Sequence, residues 1–256
     1  MLKLRRVYIP EMTWEEVKEA LREVEVAIVP VGSTEQHGLH LPLQSDTAFV
    51  LHICRRAAEE VYPIALVTPP IPIGISRHHM KFPGTLTLRE ETLIDVLMDV
   101  GWSLKQHGFR RIAIINGHGG NYHAVKIAAK KIWEEFKVLT ASLSYWELLP
   151  VEEASRIIET FRARHAGHAC EFETSLSYVI QPELVRRDKI RRGEGIETSI
   201  YQGFLPLDIF ERSETGLPRG DPTKASPEKG RKLLELIVRE LSKFLRTFGR
   251  METPER

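Results

Sequence analysis

Between residues 33 and 46 the chain gathers Glu35, His37, His40 and Asp46 in a stretch broken by Gly32 and Gly38. Mixed carboxylate and imidazole donors suit a divalent cation such as zinc, manganese or iron(II). Glu35 and His37 are two apart, so an extended backbone points both side chains to one side. Asp46 is the candidate to bridge two ions about 3.5–4 Å apart, as in two-metal hydrolytic sites. The alternative is that Asp46 caps the helix starting there, a position at which aspartate is favoured. His40 is expected as a solvated loop residue or a donor behind the ligands rather than a ligand itself.

Three more segments carry reactive side chains. Asn116-Gly117-His118-Gly119-Gly120-Asn121 follows an apolar run, and its glycines let the backbone turn tightly and approach a ligand. It presents His118, with Asn116 behind it and Gly119 on the substrate side. A phosphate cradle is the competing reading of such a turn, but no Lys-Ser/Thr pair follows it as in a P-loop. The segment from Arg164 to Ser175 holds His165, His168, Glu171 and Glu173, and a helix there sets His168 and Glu171 one turn apart on one face. That pair suits two ligands, or one ligand and a proton carrier, and histidine moves protons best near neutral pH. Gly74 to Thr85, with Ser76, His78 and His79, reads as a loop on the substrate side.

Elements must bring these segments together. Val26 to Gly32 is short, β-branched and closed by glycine, so it reads as a buried strand whose C-terminal end delivers Glu35 and His37. A helical pattern from Asp46 and an apolar run at Ile64–Val67 complete one β-α-β step. The cycle repeats with a helix from Glu90 to Gln106, a strand at Ile112–Ile115, a helix near His123–Phe136 and a strand at Val138–Leu143. Alternation of this kind implies an α/β fold built on a mainly parallel sheet with both faces covered. Ligands in such sheets sit beyond the carboxyl ends of the strands. Residues 186–224, rich in charge, glycine and proline, read as extended loops able to cover a site or a subunit contact, and Ser226-Pro227-Glu228 opens a closing helix.

The 256 residues, 42% of them hydrophobic, are enough for one compact domain spanning 1–256. With 36 basic and 35 acidic residues the net charge is +1, so no global field favours nucleic acid or a membrane surface, and a small-molecule substrate is expected. No window reaches the ~20 apolar residues of a membrane span, and the N-terminus lacks the apolar stretch of a secretory signal. Two cysteines, Cys54 and Cys170, make no disulfide framework, so the expectation is a reducing cytoplasm.

Together the four segments resemble the creatininase (creatinine amidohydrolase) family. The resemblance runs from Val26 to Ser175 through Gly-Ser-x-Glu-Gln-His-Gly-x-His-Leu-Pro-Leu-x-x-Asp-Thr, the Ser76/His79/Phe82-Pro83-Gly84-Thr85 loop, Asn-Gly-His-Gly-Gly-Asn and His-Ala-x-Glu-x-Glu-Thr-Ser. It implies a three-layer α/β/α sandwich, two divalent ions per subunit (Zn, Mn or Fe(II)) and a homo-oligomer, commonly a hexamer. Glu35 and His37 would bind different ions, Asp46 would bridge them and His118 would complete the first.

The chain departs from creatinine-hydrolysing members at Gly120, where they place a glutamate ligand. Glu171 is the expected replacement, with Glu173 behind it or the two reversed. The second departure is Arg164, where those members carry a tryptophan over the flat substrate; arginine suits an anionic group by forked hydrogen bonds. The implied activity is hydrolysis of a cyclic amide, formamide or related C–N bond by a water that two metals activate, with His168 and Glu171 as catalytic groups. Ser76, His79, Gly119 and Arg164 would face the substrate, and Glu173, His40 and Asn116 would support the ligands. Competing readings are a lactone or oxidised-inositol hydrolase on the same site, a peptidase such as that of mycofactocin maturation, and a non-catalytic metal- or sugar-phosphate-binding module.

Overall fold

The computed structural model describes residues 6–160, 167–196 and 209–253. Among these residues four strands form one parallel sheet: β1 (Val26–Val31), β2 (Ala65–Val67), β3 (Arg111–Asn116) and β4 (Leu139–Ser144), in the order β2-β1-β3-β4. Every residue of β1, β2 and β3 is buried, as continuous apolar runs require of a sheet covered on both faces. β1 and β3 pair over their full length, from Val26 opposite Arg111 to Val31 opposite Asn116, so both end at the same height. That shared edge carries the loops with Glu35, His37 and His118.

Helices cover the two faces, as expected for an α/β sandwich. α1 (Trp14–Ala20) starts at a capping box between Thr13 and Glu16. α2 is Ser45–Val61, α3 Glu90–Gln106, α4 Tyr122–Phe136, α5 Val151–Ile157, α6 Glu171–Ile180 and α7 Pro227–Phe248. α3 and α4 give Leu93, Leu97, Val125, Ala128 and Ile132 to one core, against Val29, Val31, Ile112 and Ile114. α2, α6 and α7 give Phe49, Ile53, Phe172, Leu176, Ile237 and Leu241 to the other, against Ile28, Ala113 and Ile115. α7 begins as expected: Ser226 accepts a hydrogen bond from the Lys229 amide, with proline at the first turn.

One expected element differs. The helix foreseen around His168 starts only at Glu171, because Ala169 adopts φ +46° and Cys170 is extended at its cap. His168 therefore lies outside the helix and does not share a face with Glu171. Among the described residues, no helix is long and apolar enough to cross a membrane.

Candidate metal and catalytic site

Just past the ends of β1 and β3, three carboxylates and five histidines meet among the described residues. Glu35 (1% exposed), His37 (0%), Asp46 (2%), His118 (4%) and Glu173 (6%) are all buried, drawn from three separate segments. Asp46 is not the cap of α2, since Gln44 holds that position; it sits in the first turn with its carboxylate turned inward. Its Oδ1 lies 3.1 Å from His37 Nε2 and its Oδ2 3.1 Å from His118 Nδ1, so one side chain faces both imidazoles. Asp46 Oδ2 nevertheless makes no aligned hydrogen bond, a buried carboxylate oxygen left open in the middle of a donor set.

Glu35 is the second hub. Its Oε2 accepts from Ser76 Oγ at 2.6 Å and lies 3.3 Å from His118 Nε2, while Oε1 lies 3.3 Å from His79 Nε2 and 3.7 Å from His168 Nδ1. Ser76, itself 2.5 Å from Ser33, is fully buried and orients Glu35 rather than facing open space. His79, also expected on the substrate side, is likewise turned onto Glu35. Among the described residues three donor groups result: Glu35, His78 and His118; His37, Asp46 and Glu173; and Glu35, His37 and His168, each with ligand atoms within 4.8 Å of one another. Hard oxygens mixed with imidazole nitrogens at this spacing fit divalent cations of the zinc, manganese and iron(II) type.

The electrostatics agree. Burial alone would lower the His37 pKa, but Asp46, Glu173 and Glu35 outweigh it and lift His37 to about 10. His118 is raised in the same way against the penalty of burial, by Glu35 and Asp46. Burial raises the Asp46 carboxyl, yet the two imidazoles bring it below its ordinary value. Glu173 goes the other way, pushed up to about 7 by burial and by the Asp46 and Glu35 carboxylates, against His37 and the Ala169 amide. In the metal-free protein, protons on His37 and His118 thus balance the carboxylates, and a cation entering the cluster must displace them. His79 and His168 are instead held neutral, chiefly by burial and then by neighbouring imidazoles.

Gln36 fixes how those two neutral rings are presented. The Gly38 amide can only donate, so the Gln36 atom it meets at 2.8 Å is the carbonyl Oε1. Its Nε2 then donates to His79 Nδ1 at 2.7 Å and His168 Nε2 at 2.9 Å. His168 is left with Nδ1–H directed at the cluster.

The structure corrects the assignment of Glu171. That side chain is fully buried but turned away from the cluster: Lys229 Nζ lies 2.6 Å from Oε1, and the Thr160 amide and hydroxyl each donate to Oε2 at 2.9 Å. Glu173, two residues on, faces the opposite side of α6, 3.8 Å from His37 Nε2. The carboxylate joining the cluster is thus Glu173. Gly120 has no room for a side chain, since a Cβ there would lie 2.1 Å from the Ile75 carbonyl, 2.5 Å from His118 Nε2 and 3.1 Å from His78 Cε1. His78, expected only as part of the substrate-side loop, occupies that side and joins the cluster, while nothing lies within 4 Å of a Cβ at Gly119. Asn116 holds the His118 turn through bonds to its amide and carbonyl. His40 is buried rather than solvated, bonded through Nε2 to Thr174 Oγ1 at 2.8 Å. Arg164 lies outside the described residues.

The chain belongs to the creatininase family. The family model described as creatinine amidohydrolase matches residues 10–245. Creatinine amidohydrolase of Pseudomonas putida is 30% identical, covering 94% of this chain and 97% of that protein. A 3-dehydro-scyllo-inosose hydrolase of Thermotoga maritima is 27% identical over 94% of this chain and 83% of its own length. A solved structure titled as the manganese form of creatininase superposes with a TM-score of 0.86 at 28% identity, covering 96% of this chain and all of that one.

The opposite facing of the two α6 glutamates predicts opposite phenotypes. Glu173→Gln is expected to weaken Mn²⁺ binding by about a hundredfold or more, measured by calorimetry, with little change in the metal-free melting temperature. Glu171→Gln is expected to leave Mn²⁺ affinity within about twofold and to lower stability by about 2 kcal/mol, since Lys229 keeps Glu159 and a quarter of its exposure. The reverse pattern would return the ligand role to Glu171.

Proposed function

We propose that this protein is a metal-dependent amidohydrolase that cleaves a C–N bond in a small polar cyclic amide or formamide, using two divalent ions. The observation that carries the reading is Asp46, whose two oxygens face His37 and His118 separately and so link two donor groups. Glu35 and His118, with His78 beside them, would hold one ion; His37 and Glu173 would hold the other; Asp46 would serve both. Bound there, divalent ions supply Lewis acidity toward a carbonyl and lower the pKa of a water.

The remaining steps fall to the chain. Ser76 fixes Glu35 Oε2, so that carboxylate keeps one orientation through turnover. His168, neutral and partly exposed, presents Nδ1–H toward the cluster, where it donates a hydrogen bond to the atom that gains negative charge as the C–N bond breaks. Gln36 keeps that proton on Nδ1 by donating to the other ring nitrogen. Burial of the cluster excludes bulk water, which strengthens each of these interactions.

The similarity to an inosose hydrolase supports a second reading, in which a lactone or cyclic ketone is opened at the same site. One experiment separates the two. Protein stripped by exhaustive dialysis against chelator is reloaded with Mn²⁺, Zn²⁺ or Fe²⁺ and offered cyclic amides, formamides and lactones. Activity is expected to vanish on stripping, to return with metal and to favour amides. Reloading in buffers of differing ionisation enthalpy should release protons, because His37 and His118 must discharge. Full activity after stripping would refute metal dependence; turnover of lactones alone would select the second reading.

A further inference from the structure

The cluster is closed on nearly every side, and the groups that still meet solvent identify its mouth. Ser33, Glu35, His37, Asp46, Ser76, His79 and His118 are all at most 4% exposed. His168, His78 and Phe210 are only partly buried, and these three lie together. The Phe210 ring centroid is 4.0 Å from that of His79, 5.0 Å from His168 at 82° and 5.6 Å from His78. Phe210 comes from the loop region after α6, far in sequence from every metal-binding segment.

Its position is built rather than incidental. Lys81 Nζ donates to the Glu211 carbonyl at 3.1 Å, the Ser213 carbonyl at 2.9 Å and Glu214 Oε1 at 3.1 Å. From the other side the Glu194 carboxylate accepts from Ser213 Oγ at 2.8 Å and from the Thr215 amide at 2.7 Å. Gly216 then closes the segment onto the cluster. At φ +72° a Cβ there would lie 2.1 Å from Gln36 Oε1, so only glycine lets the strap approach the residue that orients His79 and His168. The strap is thereby tied to both the His79 loop and the residue following Glu35.

We infer that Phe210 determines the substrate's shape: it is the wall on which the group attached to the scissile carbonyl lies, and it favours flat, unsaturated acyl groups over saturated polyols. The rim offers ring faces and edges from Phe210, His78 and His168, which reward planar π-systems by stacking and edge-to-face contact. A saturated polyol pressed against the same ring would lose hydration without gaining hydrogen bonds. The inference rests on the metal-hydrolase reading and ranks its two candidate substrate classes.

Hydroxamates test it without knowledge of the substrate, since acetohydroxamate and benzohydroxamate share one metal-binding group and differ in the flat ring. With the Mn²⁺-loaded protein, benzohydroxamate should bind more tightly than acetohydroxamate. Phe210→Ala should weaken benzohydroxamate about tenfold and acetohydroxamate less than twofold, with Mn²⁺ content unchanged. Phe210→Tyr should restore the preference, and Phe210→Leu, which keeps apolar volume without a ring, should lose it; Leu replaces Ala as the readout if the alanine variant fails to fold. Lys81→Met, which frees the strap, should reduce the preference part-way. Equal loss of both ligands, or an unchanged ratio in the Ala and Leu variants, would overturn the role of Phe210. Failure of the loaded wild type to bind either hydroxamate would overturn the metal-site reading beneath it.

Discussion

Asp46→Asn is expected to abolish metal retention and to lower kcat/KM by at least about a thousandfold, which corresponds to roughly 4 kcal/mol of lost transition-state stabilisation. The substitution keeps the side chain's size and its place in the first turn of α2, so collapse of the helix is not the cause. What changes is charge and donor capacity. One carboxylate oxygen faces His37 Nε2 and the other faces His118 Nδ1, and an amide can offer a lone pair to only one of them. Elemental analysis of the purified variant, beside turnover with added Mn²⁺, checks both halves of the expectation. If Asp46 only supported the helix N-terminus, the same change would cost on the order of 1 kcal/mol or less in melting experiments and would leave metal and turnover in place. That outcome would remove the link between the two donor groups on which the two-ion reading stands.

Much of this geometry was legible before any coordinates. β1 and β3 are uninterrupted apolar runs ending in glycine-bearing loops, and a parallel sheet delivers such loops to one edge. Glu35, His37, Asp46 and His118 followed from that edge and from their residue types. Helix α6 is where the sequence is ambiguous. Glu171 and Glu173 are two apart, so on a helix they point to opposite sides, and helix phase alone decides which reaches the cluster. Phase depends on where the helix begins, and that start is set by Ala169 at positive φ, a conformation alanine does not advertise. A helix that began two or three residues earlier would give His168 and Glu171 a common face that they do not have.

The places of His78 in the cluster and of Phe210 beside it are not legible in the sequence, for different reasons. His78 and His79 are neighbours, and in an extended loop only one of them could face the cluster; a short 3₁₀ turn at Arg77–His79 brings both rings there. Phe210 lies among charged, glycine- and proline-rich residues with no periodic pattern. Only the bonds from Lys81 and Glu194, residues distant in the chain, show that it is held against the histidines. The buried ion pair of Glu171 with Lys229 is similarly long-range, joining α6 to α7. A carboxylate in a metal-rich motif looks the same in sequence whether its partner is a cation in the site or a lysine 58 residues away.

His168 separates catalysis from metal binding. His168→Ala is expected to keep the metal content of the wild type while kcat falls by about 10²–10³, the usual cost of removing one hydrogen-bond donor from the charge that develops in the transition state. With 18% of its side chain exposed the ring reaches solvent, so the cavity left by alanine opens outward. Added imidazole should therefore recover part of the lost turnover. The structure also allows a contrary role, because His168 Nδ1 stands in one donor group with Glu35 and His37. A ligating His168 would lose metal when replaced, and turnover would then rise with added Mn²⁺ rather than with imidazole. Its neutral ring suits either role, but Nδ1 is 3.7 Å from Glu35 Oε1 and its other nitrogen is occupied by Gln36, which leaves a single N–H facing the cluster. A group that presents an N–H there, and not a lone pair, is placed to donate a hydrogen bond to developing charge rather than to ligate a cation.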